Sequence, residues 1–262
     1  MRTVRLRTVN ATRYVTPLRE GGSLPAIVEA DDCGLYVVKF RGAGQGPLAL
    51  VAELVSGEIG RALGLRVPEI VLIGIDEALG RNEPDQEIRE LLLASPGLNL
   101  ALDYLPGSIM FDSAAKPVVD PAVASAAVWF DAFVTNVDRT PRNPNLLWWH
   151  RQLYFIDHGA SLYFHHDWRD IERKAASPFP MIRDHVLLRW ATQIREADPI
   201  LRAKLSDRVI GDIVAQIPEL WLPADQRANY AEYFRRRLDS SAFVEEAVVA
   251  GSNYPGSNHA GS

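Results

Sequence analysis

The chain has 262 residues, 47% of them hydrophobic, enough for one large domain or two lobes with a real core. A formal charge of −5 and a single cysteine, Cys33, exclude bulk electrostatic binding of nucleic acid and any intrachain disulfide. Residues 1–11 are basic but lack the apolar centre of a signal peptide, and no run approaches the ~18 apolar residues of a membrane span, so a soluble, cytoplasmic protein with no membrane partner is expected.

Residues 13–18 read as a short strand of mixed polarity, 19–23 (REGGS) as a turn cluster and 24–30 as a second strand. Asp31-Asp32-Cys33-Gly34 is a tight-turn signal. Residues 35–40 (LYVVKF) form a β-rich run with one charged intruder, Lys39. Gly21, Gly22 and Ser23 offer backbone N–H groups close to a ligand, since glycine puts no side chain in the way; an ordinary hairpin turn explains the same residues.

Leu48, Val51, Ala52, Val55, Ile59, Ala62 and Leu63 recur at intervals of three and four, predicting an amphipathic helix over 47–65. Pro47 starts it, and Gly64 and Pro68 stop it. Glu53 lies beside the apolar stripe. A helical glutamate is usually solvated, and Glu58 is read that way. Lys39, in an apolar strand, needs a counter-charge if it is buried, and Glu53 can supply one.

Residues 69–76 read as a fourth strand, 80–85 as a polar loop, 86–94 as a short helix and 99–105 as a fifth strand, ended by Pro106-Gly107. In a two-lobed enzyme such a break is a hinge, with the backbone of Asp103, Tyr104 and Leu105 available to an adenine edge. Beyond it the pattern turns helical. Asp120 caps a helix opened by Pro121, and Val123, Ala126, Ala127, Phe130 and Phe133 bury it as it runs towards Asn136. Helices are expected over 181–197, 199–205, 207–216 and 223–247, with Arg235-Arg236-Arg237 as a solvated face. Residues 251–262, which repeat Gly-Ser-Asn, are expected to be disordered.

The chemistry concentrates in residues 136–159, NVDRTPRNPNLLWWHRQLYFIDHG. Apolar runs at 146–149 and 153–156, around His150-Arg151-Gln152, predict a β-hairpin. It holds Asp138 and Asn143 at one end and returns Asp157 to that same end. Two carboxylates and an amide oxygen there can bind Mg²⁺ and orient a hydroxyl, which phosphoryl transfer requires. Arg139 can either hold phosphate or anchor the loop. His158 reads as a packed, hydrogen-bonded histidine rather than a catalyst. His165-His166-Asp167 reads as surface, because no second ligand cluster accompanies it.

With these residues placed, the sequence resembles the HipA-like kinases, a branch of the protein-kinase and phosphatidylinositol-kinase superfamily, over residues 21–188. The likeness rests on Gly21-Gly22-Ser23, on YVVKF with Lys39, on VAELVSGEIGRALGLRVP with Glu53, and on NVDRTPRN and FIDHG. Each motif is common by chance; their order and spacing together are specific. The resemblance implies an α+β, two-lobed protein-kinase-like fold. Its β-rich N-lobe with one long helix would span 1–105, and its mainly helical C-lobe 106–250. It implies ATP and Mg²⁺ as cofactors, with Lys39 on the α/β-phosphates and paired to Glu53. Asp138 would position or deprotonate the acceptor hydroxyl, Asn143 and Asp157 would bind Mg²⁺, and Val37 and Ile156 would line the adenine pocket.

Two departures stand out. His158 occupies the usual Phe position of the Asp-x-Gly motif, and no His-Arg pair precedes Asp138. Both are common outside the eukaryotic-type kinases. The chain starts almost directly at the nucleotide lobe, so a compact, kinase-core-only member is expected, without the extra domain that helps toxin-type relatives bind an antitoxin; an antitoxin partner is not carried over. The expected function is ATP- and Mg-dependent transfer of the γ-phosphoryl group to a hydroxyl, Ser or Thr of a protein substrate. The alternatives are a small-molecule phosphotransferase, an adenylyl transferase and a nucleotide-binding pseudokinase scaffold. The joint presence of Lys39, Glu53, Asp138, Asn143 and Asp157 argues against the scaffold. Ser23, over the γ-phosphate, is a candidate for self-inhibitory phosphorylation, against simple hydrogen bonding to the phosphate or within its own turn.

Overall fold

The computed structural model describes residues 5–18, 24–43, 46–81 and 83–254. Gly21, Gly22 and Ser23, and residues 255–262 of the expected tail, lie outside the described residues.

The first part of the chain carries β1 (Arg7–Pro17), β2 (Ala26–Ala30), β3 (Leu35–Lys39), α1 (Gly46–Leu63), β4 (Ile70–Ile75), α2 (Ala78–Arg81), α3 (Gln86–Leu93) and β5 (Gly97–Asp103). The five strands close into a barrel in the order β1-β2-β3-β5-β4. Closure depends on β1, which starts earlier than its sequence pattern suggests. Its first residues run parallel to β4, from Arg7 opposite Val71 to Asn10 opposite Gly74. From Ala11 onward it pairs antiparallel with β2, with register shifts after Ala11 and Tyr14. Such irregularities bend a strand and increase its twist, which lets one strand serve two neighbours around a tight barrel. Val9, Val28, Val38, Val71, Ile73 and Ala101 fill the interior, and Ile88 and Leu92 of α3 pack with them. The expected polar loop at 80–85 is helical at its start, where α2 ends.

Helix α1 is more deeply buried than an amphipathic helix on a surface. Every residue from Leu50 to Gly60 is buried, because barrel and helical lobe enclose it. Gly57 permits the approach to β4: a Cβ there would lie 2.5 Å from Ile70 Cδ1. Glu58 is not solvated as expected. It is buried, paired with Arg61 at 3.3 Å, and burial raises its carboxyl above the usual range. Lys204 Nζ donates to the Leu63 carbonyl at 2.6 Å, satisfying an end group of α1 from the other lobe. The apolar residues of α1 belong to the same core as those of the helical lobe, apart from the barrel interior.

The second part holds β6 (Ile109–Met110), α4 (Pro121–Phe133), β7 (Leu146–Trp149), β8 (Gln152–Phe155), α5 (Ile171–Ala176), α6 (Ile194–Lys204), α7 (Asp207–Val214), α8 (Arg227–Asp239) and α9 (Ala242–Ser252). Asp120 caps α4 as expected, its Oδ1 accepting the Ala122 N–H at 2.8 Å. Trp129, Phe130 and Phe133 of α4 are buried, and Trp129 stacks on Phe133 with ring centroids 5.1 Å apart. The architecture is α+β and two-lobed, a strand-rich lobe set on a mainly helical one.

Several helix expectations change. Residues 181–197 are not one helix: 3-10 turns at Pro180–Asp184 and Leu188–Trp190 precede α6. The break falls where the Val186 N–H donates to the Arg139 carbonyl at 3.0 Å, a bond a continuous helix would not allow. Helix α6 then runs through Pro199 rather than starting there. Residues 223–247 divide at an extended Ser240 into α8 and α9. Arg237 is not on a solvated face. Its buried guanidinium donates to the carbonyls of Ala132 (2.8 Å), Phe133 (3.3 Å), Ala175 (3.0 Å) and Ser177 (2.6 Å). Gly251 and Ser252 complete α9, so the tail boundary at 251 falls inside a helix. No helix among the described residues is long and apolar enough to cross a membrane.

Candidate active site

Lys39, at the end of β3, sends its ammonium between two carboxylates. Nζ lies 2.5 Å from Glu53 Oε2 and 2.5 Å from Asp157 Oδ1. Glu53 is fully buried on α1, so the counter-charge argument made from the strand pattern corresponds to a direct contact. Glu53 Oε2 also accepts the His158 backbone N–H at 2.7 Å, and His158 Nδ1 lies 3.3 Å from Oε1. Burial alone would raise the Glu53 carboxyl; the Lys39 ammonium and the His158 hydrogen bonds outweigh it and hold it down to about 2. Burial likewise disfavours a charged Lys39, but Glu53 and Asp157 reverse that and hold the ammonium above its ordinary value. Glu53 and Lys39 therefore face each other as a carboxylate and an ammonium at neutral pH.

A second link ties α1 to the segment after Asp157. Ser161 Oγ donates to the His158 carbonyl at 2.6 Å and lies 2.6 Å from Ser56 Oγ. With the Ser161 proton engaged, Ser56 is the donor between the two hydroxyls. His158 packs edge-on against Phe130, consistent with a structural role in place of the usual phenylalanine.

The hairpin forms with Leu146 opposite Phe155 and Trp149 opposite Gln152. Its turn has two residues rather than three: His150 and Arg151, at φ 47° and 61°, and Gln152 already belongs to β8. Positive φ at both positions matches the twist of the flanking strands, as in type I′ turns. At the open end, Asn143 Nδ2 donates to Asp138 Oδ2 at 2.7 Å, and Asn145 Nδ2 lies 3.4 Å from the same oxygen. The Asp138 N–H donates to Asn136 Oδ1 at 3.1 Å. Burial, reinforced by the negative charge of Asp157, raises the Asp138 carboxyl, while Asn145 and Asn143 oppose the rise. The effect is to make Asp138 a better proton acceptor than a free carboxylate.

No group of three or more His, Cys, Asp or Glu side chains among the described residues could hold a metal. The donors at the open end are instead oxygens. Asn143 spends its amide nitrogen on Asp138, so its Oδ1 and the Asp157 carboxylate are the oxygens a cation could use. That sparse set suits Mg²⁺, which is held by one or two protein oxygens and completes its shell with water and phosphate.

Arg139 anchors the loop and does not face phosphate. Its side chain is fully buried; Nε donates to Asp131 Oδ2 at 2.6 Å, and Nη1 donates to the carbonyls of Asn145 (2.5 Å) and Ile156 (3.2 Å). His165 is not on the surface either. It is buried with Nδ1 3.1 Å from the Tyr230 hydroxyl, and burial, helped by His166, pushes the imidazole down to about 3.

Residues 12–241 match the family described as HipA-like kinase. The chain belongs to that family. Its fold is similar to that of the Helicobacter pylori proinflammatory kinase CtkA, at 15% identity and a TM-score of 0.58, over 94% of this chain and 99% of that one. It is also similar to the Golgi casein kinase solved with Mn/ADP bound, at 9% identity and a TM-score of 0.52, over 96% of this chain and 74% of that one. At such identities the likeness is one of fold, which is the two-lobed protein-kinase fold. No curated protein matches the sequence significantly. Family and fold together make the chain a kinase, a phosphotransferase by class.

In this HipA-like kinase, Val37 sits on β3 opposite Leu102, at the same strand parity as Lys39. Of the hinge N–H groups, that of Asp103 is taken by the Glu69 carbonyl and that of Tyr104 by the Leu35 carbonyl, both at 2.9 Å. Of the three residues expected there, Leu105 alone has no backbone acceptor for its N–H among the described residues. Three more residues share the parity of Ile156. Met110 pairs with Leu147 and Leu147 with Tyr154, all on one face of the β6-β7-β8 sheet. The opposite face carries Leu146, Leu153 and Phe155 into the core, while on the first face Leu147 and Tyr154 are half-buried and Met110 is exposed. Alternation around Ile156 was signal enough for Leu147 and Tyr154; nothing in the sequence marked Met110.

Proposed function

We propose that this HipA-like kinase transfers the γ-phosphoryl group of ATP to a hydroxyl, Ser or Thr of a protein, in a Mg²⁺-dependent reaction in the cytoplasm. The observation that carries the reading is the Lys39 ammonium held 2.5 Å from both Glu53 and Asp157, with Asp138 within electrostatic reach of Asp157. Glu53 fixes the direction of Lys39, so that its charge meets the α/β-phosphates without reorganisation. Asn143 and Asp157 hold the metal, which when bound neutralises charge on the phosphate oxygens. The Leu105 N–H meets the adenine edge, and Val37, Met110, Leu147, Tyr154 and Ile156 enclose the ring. Asp138 orients the acceptor hydroxyl and accepts its proton, aided by its raised basicity. The Mn/ADP of the Golgi casein kinase is in keeping with a nucleotide and a divalent ion here. No antitoxin is part of this reading.

The roles are separated by calorimetric titration with a non-hydrolysable ATP analogue, with and without Mg²⁺. Asp157→Asn should lose most of the Mg²⁺-dependent gain in affinity, and Asp138→Asn should keep it. Equal losses in the two variants would contradict the assignment.

A further inference from the structure

We propose that Asp131, on α4, is the positioning residue that fixes Asp138 and Asp157 relative to each other, acting through Asn136, Arg139 and His185. The inference rests on the site reading above, in which Asp138 faces the acceptor and Asp157 the metal.

Asp131 is fully buried and both of its oxygens are engaged. Oδ1 accepts Asn136 Nδ2 at 2.9 Å; Oδ2 accepts Arg139 Nε at 2.6 Å and His185 Nε2 at 2.8 Å. Two branches lead from it into the site. Through Asn136, whose own N–H donates to the Asp131 carbonyl at 2.9 Å, the path reaches the backbone N–H of Asp138. Through Arg139 it reaches the Asn145 and Ile156 carbonyls, the latter belonging to the residue just before Asp157. Asn145 closes the circuit: its carbonyl accepts the Ile156 N–H at 3.1 Å and its side chain approaches Asp138.

His185 supplies a third strut from the helical lobe. Its Nδ1 accepts the Leu187 N–H at 3.0 Å, so the ring proton sits on Nε2 and is donated to Asp131. The ring is neutral in this arrangement, and one guanidinium balances one carboxylate.

Stability alone does not explain such a network. A buried ion pair is often no better for folding than apolar residues of the same volume, whereas its directional bonds define one geometry. The backbone around it also needs holding. Thr135, Asn145 and Asp157 all lie at positive φ, 54°, 48° and 55°, a region that non-glycine residues occupy only when the surroundings over-determine it.

Asp131→Asn would strand a buried guanidinium and test folding as much as positioning, so the test uses one variant on each branch. Asn136→Ala removes the path to Asp138 alone. Turnover of Mg·ATP, with water as acceptor, should fall about a hundredfold, while the Mg²⁺-dependent affinity for the ATP analogue stays within about twofold of wild type. Arg139→Lys keeps a positive charge near Asp131, but a single ammonium cannot also span the two carbonyls. There, turnover and Mg²⁺-dependent affinity should both fall, each about tenfold or more. Two results overturn the inference: both variants at wild-type values, or losses that only track the folded fraction read from unfolding curves. Asp157→Asn, measured alongside, separates the levels. Intact Mg²⁺ dependence in that variant would overturn the site reading and this inference with it. Lost Mg²⁺ dependence there, beside an unaffected Arg139→Lys, would overturn the positioning role alone.

Discussion

Replacing Lys39 with methionine should destabilise the protein more than replacing Glu53 with glutamine, although the two form one pair. The asymmetry follows from who else is present. The Lys39 ammonium is shared between Glu53 and Asp157, whereas Lys39 is the only lysine or arginine paired with Glu53 among the described residues. Glu53→Gln leaves Lys39 neutralised by Asp157 and loses about 1.5–3 kcal/mol, the worth of a charged hydrogen bond. Lys39→Met leaves a fully buried carboxylate with no cation, a loss of about 3–5 kcal/mol. For a chain of this size, melting temperatures should drop by several degrees in the first case and by roughly ten or more in the second. The double variant should lie close to Glu53→Gln, because no charge is then stranded.

The pH dependence sharpens the comparison. In the wild type the Glu53 carboxyl is held at about 2, below its ordinary 4.5, so its contribution is complete above pH 4.5 and is lost as pH falls from there through 2. In Lys39→Met, burial, the largest influence, is opposed only by the His158 hydrogen bonds and raises the carboxyl above its unfolded value. Its penalty is then largest at neutral pH and relaxes on acidification. Urea unfolding at about pH 7 and about pH 5 should therefore show the variant gaining stability on acidification, with no such gain from Glu53 in the wild type. Equal destabilisation by the two single variants, or parallel pH slopes, would refute the reasoning.

Arg237→Met should lower stability by at least about 3 kcal/mol, because it orphans the buried carbonyls of Ala132, Phe133 and Ala175 and the half-buried one of Ser177. A urea-unfolding shift below about 1 kcal/mol would show that the packing of the stem, not the carbonyls, needs this residue. Arg151→Gly, at φ 61° in the hairpin turn, should gain roughly 0.5–1 kcal/mol and leave ATP-analogue affinity unchanged, as calorimetry can verify.

Much of the site was legible because its residues violate local patterns. A lysine inside LYVVKF has no place in an apolar strand unless a counter-charge meets it, and the helix that follows offers Glu53. Asp138, Asn143 and Asp157 were legible because a hairpin must return to its start. What escaped the sequence depends on contacts distant along the chain. Closure of the barrel requires residues 7–10 to run parallel to 71–74, and no short-range pattern encodes that. Arg237 looked like part of a solvated basic run because burial of a guanidinium is decided by carbonyls about a hundred residues away. Residues 181–197 have helical periodicity, but Val186 bonds to the Arg139 carbonyl and His185 to Asp131 instead of to their own helix. Asp131 sits in an apolar helix much as Lys39 sits in an apolar strand. That signal was available in the sequence, and its partners, Asn136 and Arg139, lie five and eight residues on.

The central claim is γ-phosphoryl transfer to a hydroxyl by way of Asp138. Its most direct test is mass spectrometry of proteins from otherwise identical cells carrying the wild-type chain or Asp138→Asn. The account predicts phosphate on Ser or Thr of specific proteins with the wild type and its absence with the variant. AMP adducts in place of phosphate, or the same phosphorylated sites with both chains, would contradict it.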